Sequence, residues 1–337
     1  MNTLLGLVII AIGSFCQSSS YVPVNKVREW SWESFWLTQG LFAWLVFPLL
    51  GALLAVPEGG SLQDLFAAAP TAALEAAGYG VLWGVGGLTF GLSMRYLGVA
   101  LGQSISLGTC AGFGTLLPAL FGGMNLLEGK GLILLLGVCI TLAGIAVIGY
   151  AGSLRARNMT EEEQHAAVKD FALTKGLLVA LLAGVMSACF SLGLDAGRPL
   201  QIEGSAPLFA TLPATLAVTL GGFLTNAGYC LYQNARNKSF SDYAKRSLWC
   251  NNLLFCALAG VLWYSQFFGL AIGQSFFDEG SVVAAFAWCI LMALNVTFSN
   301  VWGVVLKEWQ GAGRKTTAVL AAGLALLIFS LVFPNLF

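Results

Sequence analysis

The sequence predicts an all-α polytopic membrane protein: ten transmembrane helices arranged as two inverted five-helix repeats. Three observations carry that expectation. The 337 residues are 58% hydrophobic and only 9% charged, with a mean hydropathy of +0.81, whereas soluble domains carry about 25% charged residues. The apolar residues gather into ten runs long enough to cross a hydrocarbon core. The lysines and arginines, finally, alternate in the loops between those runs.

Taken in order, the first span runs from Thr3 to Val22, and because nothing before Lys26 is charged it reads as a helix rather than a cleaved leader. The second, Phe35 to Val56, follows a run of cations and indoles. The third, Ala72 to Met94, is rich in glycine, and the fourth, Val99 to Phe121, follows it closely. Gly131 to Gly149 is the fifth. The longest polar stretch comes next, with Glu161, Glu162, Glu163 and the one histidine, His165. Spans six to ten are Gly176 to Ala196, Pro207 to Cys230, Leu248 to Ile272, Val282 to Leu306 and Thr317 to Phe333. The chain therefore divides into a first repeat at 1–150, a cytoplasmic linker at 151–175 and a second repeat at 176–337.

Of the 16 lysines and arginines, 14 fall after odd-numbered spans, and only Lys130 and Arg198 fall elsewhere. Cations in short loops stay cytoplasmic, so both termini are expected outside the cytoplasm. Gly80-Val81-Leu82-Trp83 recurs as Gly260-Val261-Leu262-Trp263 in the third span of the second set. Five spans being odd, the two sets enter the membrane with opposite topology, the plan by which many secondary transporters build alternating access. In span three, Gly80, Gly84, Gly87 and Gly91 form a stripe suited to close helix packing. Tyr79, Trp83, Gly86 and Phe90 follow the same spacing on the adjacent face.

Several function classes drop out. The net charge is zero, which leaves no basic field to hold nucleic acid. The eight cysteines lie inside apolar runs without zinc or redox spacing and read as small buried hydrophobes. His165 sits in an acidic loop, and no metalloprotease, serine-hydrolase or phosphate-loop motif occurs. No catalytic residue, metal site or cofactor is therefore expected. A channel would need rings of like charge, and none is visible.

What remains within the spans is uncharged polarity mixed with indoles. Gln17, Gln39, Gln103, Asn226, Asn252, Gln266, Asn295 and Asn300 accompany Trp44, Trp83, Trp263, Tyr264 and Trp288. Amides pair with hydroxyls and an indole covers an apolar sugar face, so a neutral polyhydroxylated ligand fits. The expected substrate contacts are Gln17, Trp83, Gln103, Asn252, Trp263, Tyr264 and Gln266. Asn252 and Gln266 suit helix–helix hydrogen bonding equally well. Energy coupling requires a group that changes charge, and the candidates are Glu75 in span three and Asp195 in span six. Each also lies near enough to an interface for simple solvation. Arg95, at the end of span three, reads as an anchor on the cytoplasmic side rather than a counter-ion.

Four motifs carry a family resemblance: VNKVREWSWESFW from Val24 to Trp36, MRYLG from Met94 to Gly98, WYSQFF from Trp263 to Phe268 and VLKEWQGAGRK from Val305 to Lys315. Together they resemble the bacterial L-rhamnose/proton symporter family of the drug/metabolite transporter superfamily, over nearly the whole chain. The segments Gln274 to Ser281 and Leu194-Asp195-Ala196 depart from that pattern. The resemblance implies an inner-membrane carrier that takes up L-rhamnose, or a related deoxysugar or pentose, with protons. Its partners would be the sugar, protons and membrane lipid; an exporter of the same superfamily is the alternative. On physical grounds Lys26, Arg28, Trp30, Trp32 and Glu33 read as an interfacial anchor or as part of a cytoplasmic gate, with Lys307 and Glu308 as their counterpart.

Overall fold

The computed structural model describes residues 2–97, 99–157, 172–307 and 309–336. Most of the expected linker, with His165, lies outside the described residues, as does Glu308 and with it the Lys307–Glu308 pair. The described residues form helices joined by turns and loops, with no strand among them. Its helices are α1 (Thr3–Ser19), α2 (Tyr21–Val24), α3 (Trp32–Gly40), α4 (Phe47–Leu53), α5 (Leu62–Ala68), α6 (Pro70–Leu97) and α7 (Val99–Phe121). There follow α8 (Gly129–Arg157), α9 (Leu173–Ala196), α10 (Leu212–Asn237), α11 (Trp249–Gln274), α12 (Val282–Val305) and α13 (Gly313–Val332). A wider π-helical turn, Leu41–Val46, joins α3 to α4.

Among the described residues, nine helical stretches are long and apolar enough to cross a membrane, and α5 with α6, bent by 96° at the break, makes a tenth when the pair is counted as one span. The bend has a local cause. A residue before proline is disfavoured in the helical region, and Ala69, which precedes Pro70, sits at φ −142° and ψ 65°. Ser61 caps the short α5 in a reciprocal box with Asp64. The sequence reading missed this short helix.

Contacts between loops support the count of ten, because they join loops of like parity. Asn251, at the start of α11, bonds to the Lys26 carbonyl after span one (2.9 Å). A Cβ added to Gly204, after span six, would lie 3.2 Å from that of Pro57, after span two. Lys130, after span four, donates to the Gly280 carbonyl after span eight (2.8 Å). Lys175 stacks on Tyr96 (4.7 Å), and Arg155 stacks on Trp309 (5.6 Å). Had α6 failed to cross, loops of unlike parity would meet.

Packing divides the chain into two compact units, one formed by Met1–Gly84 with Leu192–Phe276 and the other by Val85–Ser191 with Phe277–Phe337. In the first unit α1 lies along α11 at glycine-sized spacing: a Cβ on Gly13 would fall 3.2 Å from the Cα atoms of Gln266 and Gly269. α6 meets α10 where Gly80 faces the Val218 carbonyl, Gly221 faces the Ala77 carbonyl and Thr225 bonds to the Val81 carbonyl (3.0 Å). The expected glycine stripe is therefore half used, since Gly80 and Gly84 pack on α10, whereas Gly87 and Gly91 have no neighbour there. In the second unit α8 packs along α13 through Gly144 and Gly323, around a core of Ile145, Ile148, Val296, Leu320 and Leu327. All eight cysteines are free thiols; five are buried, but Cys139 and Cys250 are exposed, contrary to the expectation of uniform burial. A helix that is apolar all round does not announce which of its faces turns inward.

Candidate functional site

The first unit holds an aromatic cluster built around the π-helical turn. Pro48 lacks the N–H that would bond back to Trp44 four residues earlier, and the chain widens just before it. π-helical turns of this kind recur at functional sites. Trp44 folds back over its own helix because Gly40 has no side chain; a Cβ there would lie 2.5 Å from the Trp44 ring. The ring of Trp44 then meets Trp36 (5.4 Å between centroids), Trp83 (5.9 Å) and Trp263 (6.1 Å), each near edge-to-face. Trp83, seated on Gly222 of α10, lies 5.8 Å from Trp263 with the planes tilted by 33°. The two tryptophans of the Gly-Val-Leu-Trp echo are thus direct neighbours.

Polarity surrounds this cluster. Trp36 donates to Asn226 (3.0 Å), whose own amide N–H group bonds to the Gly222 carbonyl (2.9 Å). Four buried polar atoms of this unit have no hydrogen-bond partner: Trp44 Nε1, Gln39 Oε1, the Tyr264 hydroxyl and Ser14 Oγ. Leaving such an atom unpaired costs about 1–3 kcal/mol. One donor, one acceptor and two hydroxyls suit a neutral, hydroxyl-rich ligand. Gly51 leaves room for the Tyr264 ring, its absent Cβ facing the hydroxyl.

The expected contact residues sort unevenly. Trp83, Trp263, Tyr264 and Gln266 lie in the first unit, with Tyr264 and Gln266 buried at 5% and 3% exposure. Gln266 donates to the Trp263 carbonyl (3.1 Å). Gln17, half-buried on α1, accepts from Ser18 (3.3 Å). Asn252 has a structural occupation: its Oδ1 accepts from the Arg28 backbone N–H (3.0 Å) and its Nδ2 donates to the Arg28 carbonyl (2.9 Å). Both ends of that amide fasten the loop after α2. Asn252→Ala is expected to lower stability by about 1–3 kcal/mol, leaving substrate affinity within twofold. Thermal unfolding beside a binding titration checks this, and a selective loss of affinity would return Asn252 to the ligand. Gln103 belongs to the second unit, where Trp288 stacks on Phe190 (5.8 Å) and donates to the Cys110 carbonyl (3.3 Å). A cleft of about 410 Å³ between α7 and α8, lined by Ser104, Gly108, Thr109 and Leu142 among others, holds none of the expected contacts.

Neither coupling candidate from the sequence is buried. Glu75 is exposed, and Asp195 closes a pair with Arg198 one helical turn on (2.8 Å) at 35% exposure. The carboxylates that are buried among the described residues are Glu33 and Asp242, at 6% and 7% exposure. Glu33, which the sequence offers as part of an interfacial anchor or of a cytoplasmic gate, accepts at Oε1 from Asn237 (3.0 Å) and Ser239 (2.6 Å). Asp242 accepts from the Ser31 backbone N–H (2.8 Å) and lies 3.6 Å from Lys245. Burial raises the Asp242 carboxyl, but the Ser31 and Ser34 hydrogen bonds and the Lys245 charge outweigh it and hold the group below the usual carboxylate range. Trp30 bonds to the Asp242 carbonyl (3.1 Å), so it serves this network, whereas half-exposed Trp32 stacks on Trp36 (5.4 Å between centroids). Sequence reasoning passed over Trp36, Trp44 and Gln39 as site members, and it did not single out Glu33 as a buried acid. The one local signal was Gly40-x-x-x-Trp44-x-x-x-Pro48.

The family model for the L-rhamnose-proton symport protein (RhaT) matches residues 1–335. A Cronobacter sakazakii protein named L-rhamnose-proton symporter is 35% identical, over 96% of this chain and 94% of its own length. Proteins of the same name from Yersinia pestis and Yersinia pseudotuberculosis are 34% identical, over 97% of this chain and 96% of theirs.

Proposed function

We propose that this chain, which belongs to the L-rhamnose-proton symport protein family, takes up L-rhamnose, or a related deoxysugar or pentose, together with protons. The family is one of transporters, not enzymes, and its members' names do not favour an exporter. The protein is a multi-pass membrane protein. We place it in the bacterial inner membrane with both termini outside the cytoplasm, on the charge asymmetry of its loops.

One observation inside the molecule carries the sugar reading: an indole cluster of Trp44, Trp83 and Trp263 lies in the same unit as four buried polar atoms without partners. Indoles cover the apolar face of a pyranose, and the buried amide oxygen, hydroxyls and ring N–H answer its hydroxyl groups. Trp83 and Trp263, touching at 5.8 Å, separate to admit a sugar ring as the carrier cycles. Gln17, Tyr264 and Gln266 complete this reading of the site, while Gln103 and Asn252 have weaker standing in it.

Two inverted repeats, 1–150 and 176–337 around a cytoplasmic linker, remain our reading of the domain plan. Its support is a matched pair of contacts. Gly80 of span three packs on Val218 of span seven, and Gly260 of span eight packs on Phe42 and Ala43 of span two. Exchange of the two halves turns one contact into the other. Counterflow of labelled L-rhamnose in proteoliposomes tests the function: exchange saturating below millimolar sugar is expected, and its absence at millimolar concentrations would overturn the sugar assignment.

A further inference from the structure

We propose that Glu33 is the residue that binds and releases the coupling proton, with the Ser239 hydroxyl as the switch that satisfies it in both protonation states; this rests on the symport reading above. Glu33 is buried in an apolar chain and forms no ion pair among the described residues. Its partners are neutral. An ionisable side chain held inside a membrane protein without a fixed counter-charge is a proton-relay candidate by its chemistry.

The Ser239 hydrogen bond accommodates both states without moving a heavy atom. Ser239 Oγ lies 2.6 Å from Glu33 Oε1 and 3.0 Å from Asn234 Oδ1, yet it has one hydrogen to give. When Glu33 is ionised, that hydrogen points to the carboxylate. When a proton from water binds Oε1, the new O–H donates to Ser239 Oγ and the serine hydrogen turns to Asn234 Oδ1. That oxygen, already accepting from Ser34 (2.9 Å), has a second lone pair free. Asn237 donates to Oε1 throughout. Release reverses each step, and no oxidant or second reactant is needed.

Asp242, the other buried acid, is built differently. Lys245 stands 3.6 Å from its carboxylate, a fixed counter-charge that Glu33 lacks among the described residues. The remaining titratable groups near Glu33 are Tyr243 on the same segment as Asp242 and Cys230 on α10. Lys245 faces Asp242 and Glu29, at 3.6 and 3.8 Å, rather than Glu33. Arg236 and Lys238 are exposed.

Position links the acid to the sugar site. Glu33 precedes Trp36 by three residues on α3, and Trp36 touches Trp44. Gln39, with its buried oxygen, lies six residues along, about 9 Å by helical rise. The donors Asn237 and Ser239 come from the far end of α10 and the segment after it. A cycle that draws α3 away from that end strips Glu33 of its donors and leaves an unpaired buried charge, which protonation relieves.

The test uses full-length protein in proteoliposomes. Glu33→Gln is expected to keep L-rhamnose counterflow within about twofold while losing accumulation driven by an imposed pH gradient. Glu75→Gln and Asp195→Asn are expected to keep accumulation. Ser239→Ala removes the hydroxyl that stabilises the carboxylate, and is expected to move the pH of half-maximal accumulation upward by about one unit. Accumulation by Glu33→Gln, or its loss in Glu75→Gln or Asp195→Asn, would overturn the assignment. If Glu33→Gln does not yield monodisperse protein, Ser239→Ala decides alone, and an unmoved pH profile defeats the proposal. Wild-type protein that exchanges no L-rhamnose overturns the sugar reading and this assignment with it. Intact exchange with an unmoved profile in Ser239→Ala overturns only the latter.

Discussion

Trp263→Ala is expected to raise the L-rhamnose concentration that half-saturates counterflow by at least tenfold. The ring meets Trp44 at 6.1 Å, Trp83 at 5.8 Å and Phe267 at 5.2 Å, so its removal takes away a stacking surface and loosens the three that surround it. Tenfold corresponds to about 1.4 kcal/mol, within the roughly 0.5–1.5 kcal/mol that one aromatic pair contributes beyond area burial. Emptying an indole-sized volume also destabilises the fold, by roughly 3–5 kcal/mol. Trp263→Phe separates the two effects: it keeps an aromatic face with a smaller void, and is expected to lie within about threefold of wild type. The check is the concentration dependence of exchange, normalised to folded protein. An alanine variant that folds and binds as wild type would remove Trp263 from the site.

The second large effect is on assembly. Gly80→Leu is expected to abolish monodisperse protein, because a Cβ at Gly80 overlaps the Val218 carbonyl and the neighbouring backbone of α10. A flexible side chain turns aside; a helix backbone does not. Overpacking of ordinary cores costs typically about 1–3 kcal/mol, and here two helices must move apart. Seven residues along the same stripe, a Cβ at Gly87 meets nothing within 4 Å, so Gly87→Leu is expected to assemble like the wild type. Size-exclusion profiles and thermal unfolding of the pair check this. Equal behaviour of the two variants would mean that the α6–α10 contact is not what holds the unit together.

These variants mark where local pattern stops being informative. The glycines at 80, 84, 87 and 91 are equivalent in spacing, yet only the first two meet α10. Spacing defines a face, but the neighbour on that face belongs to a helix more than a hundred residues away. Asn252 and Gln266 read alike as amides in one span. The first is committed to the Arg28 backbone, 224 residues distant, and the second bonds within its own helix to the Trp263 carbonyl. The tryptophan echo is the opposite case. A four-residue repeat in matching spans pointed to Trp83 and Trp263, and the two rings meet.

Sequence by itself determined an all-α polytopic membrane protein, because partition into lipid depends on the composition of about twenty successive residues. It also carried the family, through motifs spread over the whole chain. Tertiary structure alone decided which polar groups are buried and what they bond to. Glu33 and Ser239 stand 206 residues apart, Trp36 and Asn226 stand 190 apart, and hydropathy has no term for such distances. A charged residue at the end of an apolar run looks solvated until another loop folds over it, which is why an apparent anchor became the most enclosed acid among the described residues.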